Sequence, residues 1–245
     1  MKFSLLTLLS AVASAQFEKR IVGGTPAAPE QFPYQAAVYE SGKYICGGTI
    51  VANNKILTAA QCVYGSESSP SSFSVRYGSL SRSGGRSITV SKISRHGQYN
   101  NLTMAYDVAV LTLVSAVTPG PNFSLAKLAK NTPEAGASCS VSGWGRTSPD
   151  GALSEDLQVA NVNIIDHAVC VEKYSPPRVV DRRMICAGAS DGGRGACTGD
   201  VGSPLIDQSS GQQLGIVSWS KGCGDDSQPD IYTNTAELSD WILSQ

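Results

Sequence analysis

The chain has 245 residues, of which 41% are apolar and 16% are charged, so it has enough hydrophobic side chains for a folded core and is not composed like a disordered or collagenous protein. Its formal charge is −1, which makes a nucleic-acid partner unexpected, because no basic stripe would displace counterions from phosphates. Beyond the N-terminus no apolar run approaches the ~20 residues of a membrane-spanning helix, so no membrane partner is expected either.

The N-terminal residues have the composition of a secretory signal. Lys2 precedes the apolar stretch Phe3 to Leu9, and Ala13-Ser14-Ala15 matches the small-residue pattern at which such signals are cleaved. We therefore predict a signal peptide over residues 1–15 and a secreted, extracellular protein.

Residues 16–20 form a short polar leader that ends in a Lys-Arg pair. Such a pair is often only a solvated surface doublet, but this one directly precedes Ile21-Val22-Gly23-Gly24. We predict that residues 16–20 are a propeptide, and that cleavage after Arg20 gives the remaining domain, residues 21–245, a free amine on Ile21.

The rest of the chain is predicted to be an all-β protein. Glycine and proline are scattered as turn residues, and short apolar runs have the length of strands: Ile56-Leu57-Thr58, Val108 to Val114 and Leu214 to Ser218. Helical periodicity is scarce, and only Glu237 to Leu243 predicts a helix, at the C-terminus. All-β proteins of this length are commonly one domain, so one domain is expected.

The chain has seven cysteines, an odd number, and disulfides are their expected state in an oxidising compartment, although spacing alone does not assign the pairs. A zinc site is disfavoured because there is no Cys-x-x-Cys doublet and both histidines, His96 and His167, lie far from any cysteine cluster. We expect no metal and no cofactor. The cysteines are Cys46, Cys62, Cys139, Cys170, Cys186, Cys197 and Cys223.

Six motifs occur in the chain in the order in which one protein family has them. Together they resemble the trypsin/chymotrypsin family of serine proteases, over the whole chain from Ile21 onward. The segment Tyr77 to Gly85 and the small disulfide set are most similar to the trypsins of filamentous fungi. The six motifs are Arg20-Ile21-Val22-Gly23-Gly24, Cys46-Gly47-Gly48-Thr49-Ile50, Leu57-Thr58-Ala59-Ala60-Gln61-Cys62, Asp107-Val108-Ala109-Val110-Leu111, Cys139-Ser140-Val141-Ser142-Gly143-Trp144-Gly145 and Gly199-Asp200-Val201-Gly202-Ser203-Pro204.

This resemblance implies a fold of two six-stranded antiparallel β-barrels packed face to face, with a cleft between them and a C-terminal α-helix. It also implies a free, buried thiol at Cys139, because Asp207 stands where the family has the bonding partner of that cysteine. Intermolecular pairing of Cys139 is the alternative. The implied disulfides join Cys46 with Cys62, Cys170 with Cys186 and Cys197 with Cys223.

By the same resemblance, Asp107 is the aspartate of a serine-protease triad, and Ser218 helps to hold it. The mechanism also needs an imidazole that moves a proton and a hydroxyl that attacks the peptide carbonyl. Gln61 stands at the position of the imidazole and has no proton equilibrium near neutral pH, whereas Val201 stands at the position of the hydroxyl and has no lone pair. We therefore expect no intact triad and an inactive protease homologue.

Two other features of the family are kept. Gly199 and Val201 supply the backbone amides of an oxyanion hole, which needs no particular side chain. Asp200 matches the residue that forms a buried ion pair with the new N-terminal amine, here that of Ile21, after cleavage behind Arg20. The activation step is therefore expected to remain.

The specificity pocket departs from the trypsin pattern. Gly195 stands where trypsins have the aspartate that binds Lys or Arg, whereas Asp230 stands where they usually have glycine, so a carboxylate is expected to re-enter the pocket from the other side. The remaining predicted pocket residues are Ser218, Trp219 and Ser220, the last in place of a glycine. As an alternative, Asp230 is a solvated turn residue.

Neither histidine is expected to replace the missing imidazole. Both His96 and His167 have an ordinary structural interpretation, as satisfied surface or edge residues. Asn101-Leu102-Thr103 and Asn122-Phe123-Ser124 are predicted glycosylation acceptors, in expected loops of a secreted chain.

These observations favour a secreted, non-catalytic homologue that acts by binding a protein or peptide, with a protease inhibitor and a host or cell-wall protein as candidates. The fold does not choose among them. Two alternatives stay open: a trypsin-like serine endopeptidase with residual or unusual activity, and a degenerate copy that folds but does little. A monomer is expected.

Overall fold

The computed structural model describes residues 21, 23–118, 120, 123–174, 179–189, 192–224 and 227–245. The predicted signal peptide, the propeptide with Arg20 and the glycosylation site at Asn122 lie outside these residues. Among the described residues no helix is both long enough and apolar enough to cross a bilayer.

The described chain consists mostly of β-strands, with two short α-helices. The helices are α1 (His167–Tyr174) and α2 (Ser239–Leu243). The strands are β1 (Thr25–Pro26), β2 (Gln35–Glu40), β3 (Lys43–Ala52), β4 (Lys55–Thr58), β5 (Phe73–Tyr77), β6 (Arg86–Arg95), β7 (Ala109–Leu113), β8 (Lys127–Leu128), β9 (Ser138–Gly143), β10 (Gln158–Ile165), β11 (Met184–Gly188), β12 (Pro204–Asp207), β13 (Gln212–Trp219) and β14 (Asp230–Asn234).

The first barrel closes through antiparallel pairs in the order β2, β3, β4, β7, β6, β5 and back to β2. Strand β5 shows why this sequence closes around a core. Its alternate residues Phe73, Val75 and Tyr77 are buried in the barrel, whereas Ser74 and Arg76 between them are half-buried on the outer side. Closure pairs the edges of the sheet, so no long edge strand is left open.

The second barrel also closes with six antiparallel strands, in the order β9, β10, β11, β14, β13, β12 and back to β9. The two short strands β1 and β8 are added to it, on β10 and on β13. Its core contains the fully buried Leu205 and Tyr232 together with Ile21, at the start of the described chain. The predicted pair of six-stranded barrels is therefore confirmed.

The two barrels meet at an apolar contact. Leu57 and Val108 from the first barrel pack with Ile216 from the second, and Ile242 of helix α2 joins the same buried cluster. Burying such side chains contributes ~1.5 to 3 kcal/mol each, so this contact fixes how the walls of the cleft face one another.

The helices differ from the sequence prediction. Helix α2 begins at Ser239, two residues later than predicted, after a turn in which the Ser239 amide donates to the Ala236 carbonyl. Helix α1 was not predicted. Its apolar positions follow no continuous stripe, and only Cys170 and Tyr174 on it are buried, so the Cys170 disulfide to β11 and local packing hold it rather than periodicity.

The cysteines are arranged as the family resemblance implied. The three disulfides join Cys46 to Cys62, Cys170 to Cys186 and Cys197 to Cys223. Cys139 is a free, buried thiol, and Asp207 on β12 is its register partner across the sheet. Burial, together with the nearby Asp207 charge, raises the pKa of this thiol to about 12, so it is not a reactive nucleophile near neutral pH.

Candidate active site

A cavity of about 250 Å³ lies in the cleft between the barrels, and most of the residues that the sequence singled out line it. The first barrel contributes Gln61, and the second barrel contributes the remaining walls. The lining residues are Gln61, Ala196, Cys197, Thr198, Gly199, Val201, Val217, Ser218, Trp219, Ser220 and Asp230.

Asp107 is completely buried beside the cavity and is held by three donors. The Ser218 hydroxyl donates to Oδ2 at 2.5 Å, the Gln61 side-chain amide donates to the same oxygen at 2.6 Å, and the Gln61 backbone amide donates to Oδ1 at 2.9 Å. Gln61 Nε2 also donates to the Ser218 carbonyl at 2.8 Å. Burial raises the pKa of Asp107, while the bonds from Ser218 and Gln61 oppose that rise, so the amide satisfies a carboxylate that would otherwise be costly to bury.

Val201 follows Asp200 on the tight turn that enters β12. Its isopropyl group is half-buried and packs against the core of the first barrel and against the contact between the barrels. Its carbonyl accepts the Gly47 amide at 2.8 Å, and a Cβ added at the next residue, Gly202, would overlap the Gly47 carbonyl. The turn is therefore fixed tightly against β3, with a hydrocarbon side chain at its tip.

Two backbone amides at this turn face no acceptor in the described part of the chain. These are the N–H groups of Gly199 and Val201, the two predicted donors of an oxyanion hole. Gly199 has φ of +98°, a conformation that favours glycine. Such paired, unoccupied donors are a suitable site for the oxygen of a peptide carbonyl as it gains negative charge.

Sequence analysis missed two residues that hold this loop. The Arg146 amide donates to the Thr198 carbonyl at 2.8 Å, and the Tyr44 hydroxyl donates to the Gly199 carbonyl at 2.8 Å. Both contacts join residues far apart in the chain, and neither depends on a motif. No local sequence signal was available to find them.

Asp200 is buried behind the same turn. Its carboxylate accepts the Gly145 amide at 2.7 Å and the Cys197 amide at 2.9 Å. Burial raises its pKa to about 7, against these two bonds. Ile21, its predicted partner after cleavage behind Arg20, is also fully buried, in the core of the second barrel.

Asp230 lies at the base of the cavity, where its Oδ2 accepts the Ala196 amide at 2.7 Å. The alternative of a solvated turn residue is wrong, because Asp230 begins β14 and is only 4% exposed. A Cβ added at Gly195 would overlap Asp230 Oδ2, so the two positions cannot both carry a side chain in this conformation. Burial raises the pKa of Asp230 to about 8, and Trp219 and Ser220 line the same cavity.

The histidines lie outside the cavity wall. His96 was predicted as a surface or edge residue, but it is buried: its ring stacks on Tyr106 at a centroid distance of 4.5 Å, and its Nδ1 accepts the Gln98 amide. Burial lowers its pKa, with help from nearby arginines. His167 is exposed at the start of α1, and Asn101 is exposed in a turn, where a glycan would be accessible.

The two barrels and the cleft between them define the chymotrypsin-like fold of serine proteases. The structure matches that of neuropsin, a serine protease expressed in the limbic system of mouse brain, with a TM-score of 0.82 and 32% identity over 90% of this chain and 97% of that one. The trypsin family model matches residues 21–242, so the chain belongs to the trypsin family. Trypsin beta of Drosophila erecta is 38% identical over 97% of both chains, and trypsin alpha of Drosophila melanogaster is 38% identical over 98% of this chain and 97% of that one.

These comparisons correct two expectations from the sequence. The hypothesis of a non-catalytic homologue that acts by binding is overturned, because the relatives carry the names of trypsins and the matched structure is that of a serine protease. The function they favour is the alternative, a serine endopeptidase. The finer likeness to trypsins of filamentous fungi is also unsupported, because these relatives are Drosophila trypsins.

Proposed function

We propose that this chain is a secreted trypsin-like serine endopeptidase with residual activity, whose cleft binds a protein or peptide segment that carries a basic side chain. The observation that carries this proposal is the buried carboxylate of Asp230 at the base of the cavity that also holds the free amides of Gly199 and Val201. A basic side chain would pair with Asp230 while the neighbouring peptide carbonyl lies against the two amides. A protease inhibitor that presents such a segment fits the same cleft.

We further infer that Gln61 and Val201 occupy the positions of the catalytic base and nucleophile, and that they make hydrolysis slow. An amide neither accepts nor returns a proton near neutral pH, and an isopropyl group cannot attack a carbonyl. In well-studied serine proteases from which triad members have been removed, substrate binding and the oxyanion hole alone still accelerate hydrolysis ~10³- to 10⁴-fold over the rate in water. Complete absence of hydrolysis was the expectation from the sequence, and it is the result that would contradict this proposal.

The route that these residues allow is a direct attack by water. A peptide carbonyl polarised by the Gly199 and Val201 amides gains the oxygen of a water molecule, and the bond to the leaving nitrogen breaks. The proton lost by the water passes through solvent to the leaving amine, since Gln61 cannot carry it. Asp107 then serves to hold Gln61 in place.

Processing and location follow from the same proposal. The three disulfides fit an extracellular protein, and the predicted signal peptide would direct the chain there. Cleavage after Arg20 would give Ile21 a charged amine that can form an ion pair with the buried carboxylate of Asp200. We propose a monomer that needs no metal or cofactor and has no nucleic-acid or membrane partner.

Benzamidine, a cation shaped like the end of a basic side chain, tests the pocket directly. Calorimetry on the full chain cleaved after Arg20 should show binding that weakens at least tenfold in Asp230→Ala and is unchanged in Asp150→Ala, an exposed loop aspartate. Because burial raises the pKa of Asp230 to about 8, binding should tighten as the pH rises from 6 to 9 and should release a proton. Failure of the unaltered protein to bind at pH 9 would remove the pocket from the proposal.

Hydrolysis is tested with Lys and Arg reporter peptides. The unaltered protein should cleave them slowly, with a rate that falls in parallel with benzamidine occupancy and falls again in Asp230→Ala. A contaminating protease would not follow the Asp230 substitution, so that variant separates the two sources. A rate equal to that in buffer would contradict the proposed residual activity.

A further inference from the structure

Tyr44 joins the first barrel to the loop that carries the oxyanion hole. It lies on β3, and its hydroxyl donates at 2.8 Å to the carbonyl of Gly199, 155 positions further along the chain. Gly199 belongs to the loop before β12 of the second barrel, and its own N–H is one of the two free amides of the site. One side chain of the first barrel therefore touches the residue that would hold the substrate oxygen from the second barrel.

The bond from Tyr44 completes the anchoring of this loop. The peptide unit before Gly199 is held at its oxygen, because the Thr198 carbonyl accepts the Arg146 amide. The peptide unit after Gly199 is held at its nitrogen, because the Asp200 amide donates to the Cys197 carbonyl at 2.9 Å. Tyr44 holds the oxygen of that second unit, so both peptide planes that flank the Gly199 Cα are fixed.

Tyr44 is itself held rigidly. Its ring meets the edges of Tyr39 and Trp144 at centroid distances of 5.8 Å and 6.4 Å. The Arg82 guanidinium lies 5.3 Å from the ring centroid, and the same arginine pairs with Glu155 across the barrels at 3.2 Å. Because these contacts already fix the ring of Tyr44, substrate binding carries no further entropy cost for ordering that side chain.

The hydroxyl of Tyr44 keeps its proton at neutral pH and beyond the pH at which an ordinary tyrosine loses it. Burial, together with the nearby carboxylate of Asp200, raises its pKa well above its usual value. The phenol therefore keeps its proton and cannot become a phenolate that would repel the Gly199 carbonyl. A donor with this property suits a purely positional role.

We propose that Tyr44 is a positioning residue for the oxyanion hole: it fixes the Gly199–Asp200 peptide, and with it the backbone torsion angles at the Gly199 Cα, so that the adjoining Thr198–Gly199 peptide keeps its N–H pointed into the cleft. This proposal rests on the proposed endopeptidase function and names a further residue of the same site. Tyr44 touches no reacting atom, and it acts only through Gly199. Loss of the Tyr44 hydroxyl lets the Gly199–Asp200 peptide rotate about the Gly199 Cα. The rotation lowers the fraction of molecules in which the Gly199 N–H faces the oxyanion.

The kinetic test compares two variants that each lose one tyrosine hydroxyl. Both are made in the full chain cleaved after Arg20 and carrying Gln61→His and Val201→Ser, so that turnover is measurable. Tyr44→Phe should lower kcat about tenfold with KM unchanged, less than the ~10²- to 10³-fold lost when a donor of such a hole is itself removed. Tyr39→Phe is the matched control, because its hydroxyl donates to the Arg82 carbonyl at 2.7 Å in the same aromatic layer but does not touch Gly199. Its kcat should stay within twofold of the parent.

A second measurement needs no turnover. In the unaltered, cleaved chain, the Asp200 amide shares its peptide unit with the Gly199 carbonyl, so its hydrogen exchange should rise at least fivefold in Tyr44→Phe and not in Tyr39→Phe. Equal exchange in both variants, or an unchanged kcat in Tyr44→Phe, overturns the proposal. If benzamidine does not bind, or the double substitution gives no turnover, the proposed function fails instead, while the exchange comparison still decides the role of Tyr44.

Discussion

The two walls of the cleft differ in what makes them suited to peptide hydrolysis. The wall of the first barrel depends on side-chain chemistry. There the side-chain amide of Gln61 donates to the Asp107 carboxylate and to the Ser218 carbonyl. The wall of the second barrel depends on the backbone, and there the amides of Gly199 and Val201 need no particular side chain. A side-chain substitution in the cleft can therefore remove a reactive group and leave the backbone donors of the second wall in place.

The largest expected effect comes from placing an imidazole and a hydroxyl in the cleft, one on each wall. Gln61→His with Val201→Ser should raise the rate on Lys and Arg reporter peptides at least 10²-fold, since general acid–base catalysis alone contributes ~10² to 10⁴. The rate should be measured on purified protein cleaved after Arg20. Asp107, already held by Ser218, is placed to orient the new imidazole.

The single substitutions are the controls for that comparison. Val201→Ser alone has no base beside it, and Gln61→His alone has no nucleophile, so each should stay within a few-fold of the parent. If either single change gave the full gain, the two positions would not act as a unit. If the double change gave no gain although benzamidine still bound, the proposed endopeptidase function would fail, because the cleft would bind a basic group without supporting hydrolysis.

The second effect concerns space at the base of the pocket. Gly195→Ala should destabilise the fold by about 2 kcal/mol, because its Cβ would overlap Asp230 Oδ2 and overpacking of this kind costs ~1 to 3 kcal/mol. The measurement is denaturant unfolding of Gly195→Ala, Asp230→Ala and the double variant. The cost of Gly195→Ala should nearly vanish when Asp230 is already Ala, and additive costs would show that the two side chains do not compete for this space.

Much of the fold was predictable because its signals are local. The apolar run Val108 to Val114 predicted a strand, and β7 lies within that run, whereas the two barrels were implied by the resemblance that the six motifs carry. Helix α1 was not predictable, since its eight residues bury only Cys170 and Tyr174 and depend on a disulfide to a distant strand. Tertiary contacts override weak local preference in such short elements.

The residues of the site also fall into two groups, those that motifs identified and those that only tertiary contacts reveal. Asp107, Gln61, Val201 and Asp230 were found from motif positions, and the structure places three of them on the cavity wall with Asp107 directly behind. The orientation of the Gly199 amide could not be found, because it is set by contacts from Tyr44 and Arg146 that span large sequence separations. The burial of His96 was not predicted for the same reason, since the ring of Trp241 on helix α2 packs against it at a centroid distance of 4.8 Å in the folded chain.

A third effect is a pH dependence of the free energy of unfolding, which arises in the second wall. Burial raises the folded pKa of Asp230 to about 8, whereas an unfolded aspartate titrates near 4, so the folded state binds the extra proton between these values. The free energy of unfolding contributed by this group is therefore fully present below pH 4 and is lost as the pH rises through 8. Asp230→Asn keeps an acceptor for the Ala196 amide and should be more stable than the parent at pH 8 by on the order of 5 kcal/mol.

The check is denaturant unfolding of parent and Asp230→Asn at pH 5 and pH 8, with Asp207→Asn as the control. Asp207 is a partly exposed carboxylate whose pKa is lowered in the folded state by bonds from Ser210 and Ser209, although burial is the largest opposing influence. Its substitution should therefore not stabilise the protein at pH 8. A parent whose stability did not fall between pH 5 and pH 8, relative to Asp230→Asn, would show that Asp230 is ionised in the empty pocket.

The smallest effect lies farthest from the cleft, at the free thiol of the second barrel. Cys139→Ala removes one buried sulfur that donates weakly to the Ala137 carbonyl, so it should cost about 1 kcal/mol and leave benzamidine binding unchanged. In the folded parent this thiol should resist iodoacetamide at pH 8, because burial raises its pKa to about 12, and it should react once denaturant unfolds the chain. Rapid alkylation of the folded protein would mean that β9 and β12 separate readily beside Asp207, in which case the second wall would not be the rigid partner that the comparison of the two walls requires.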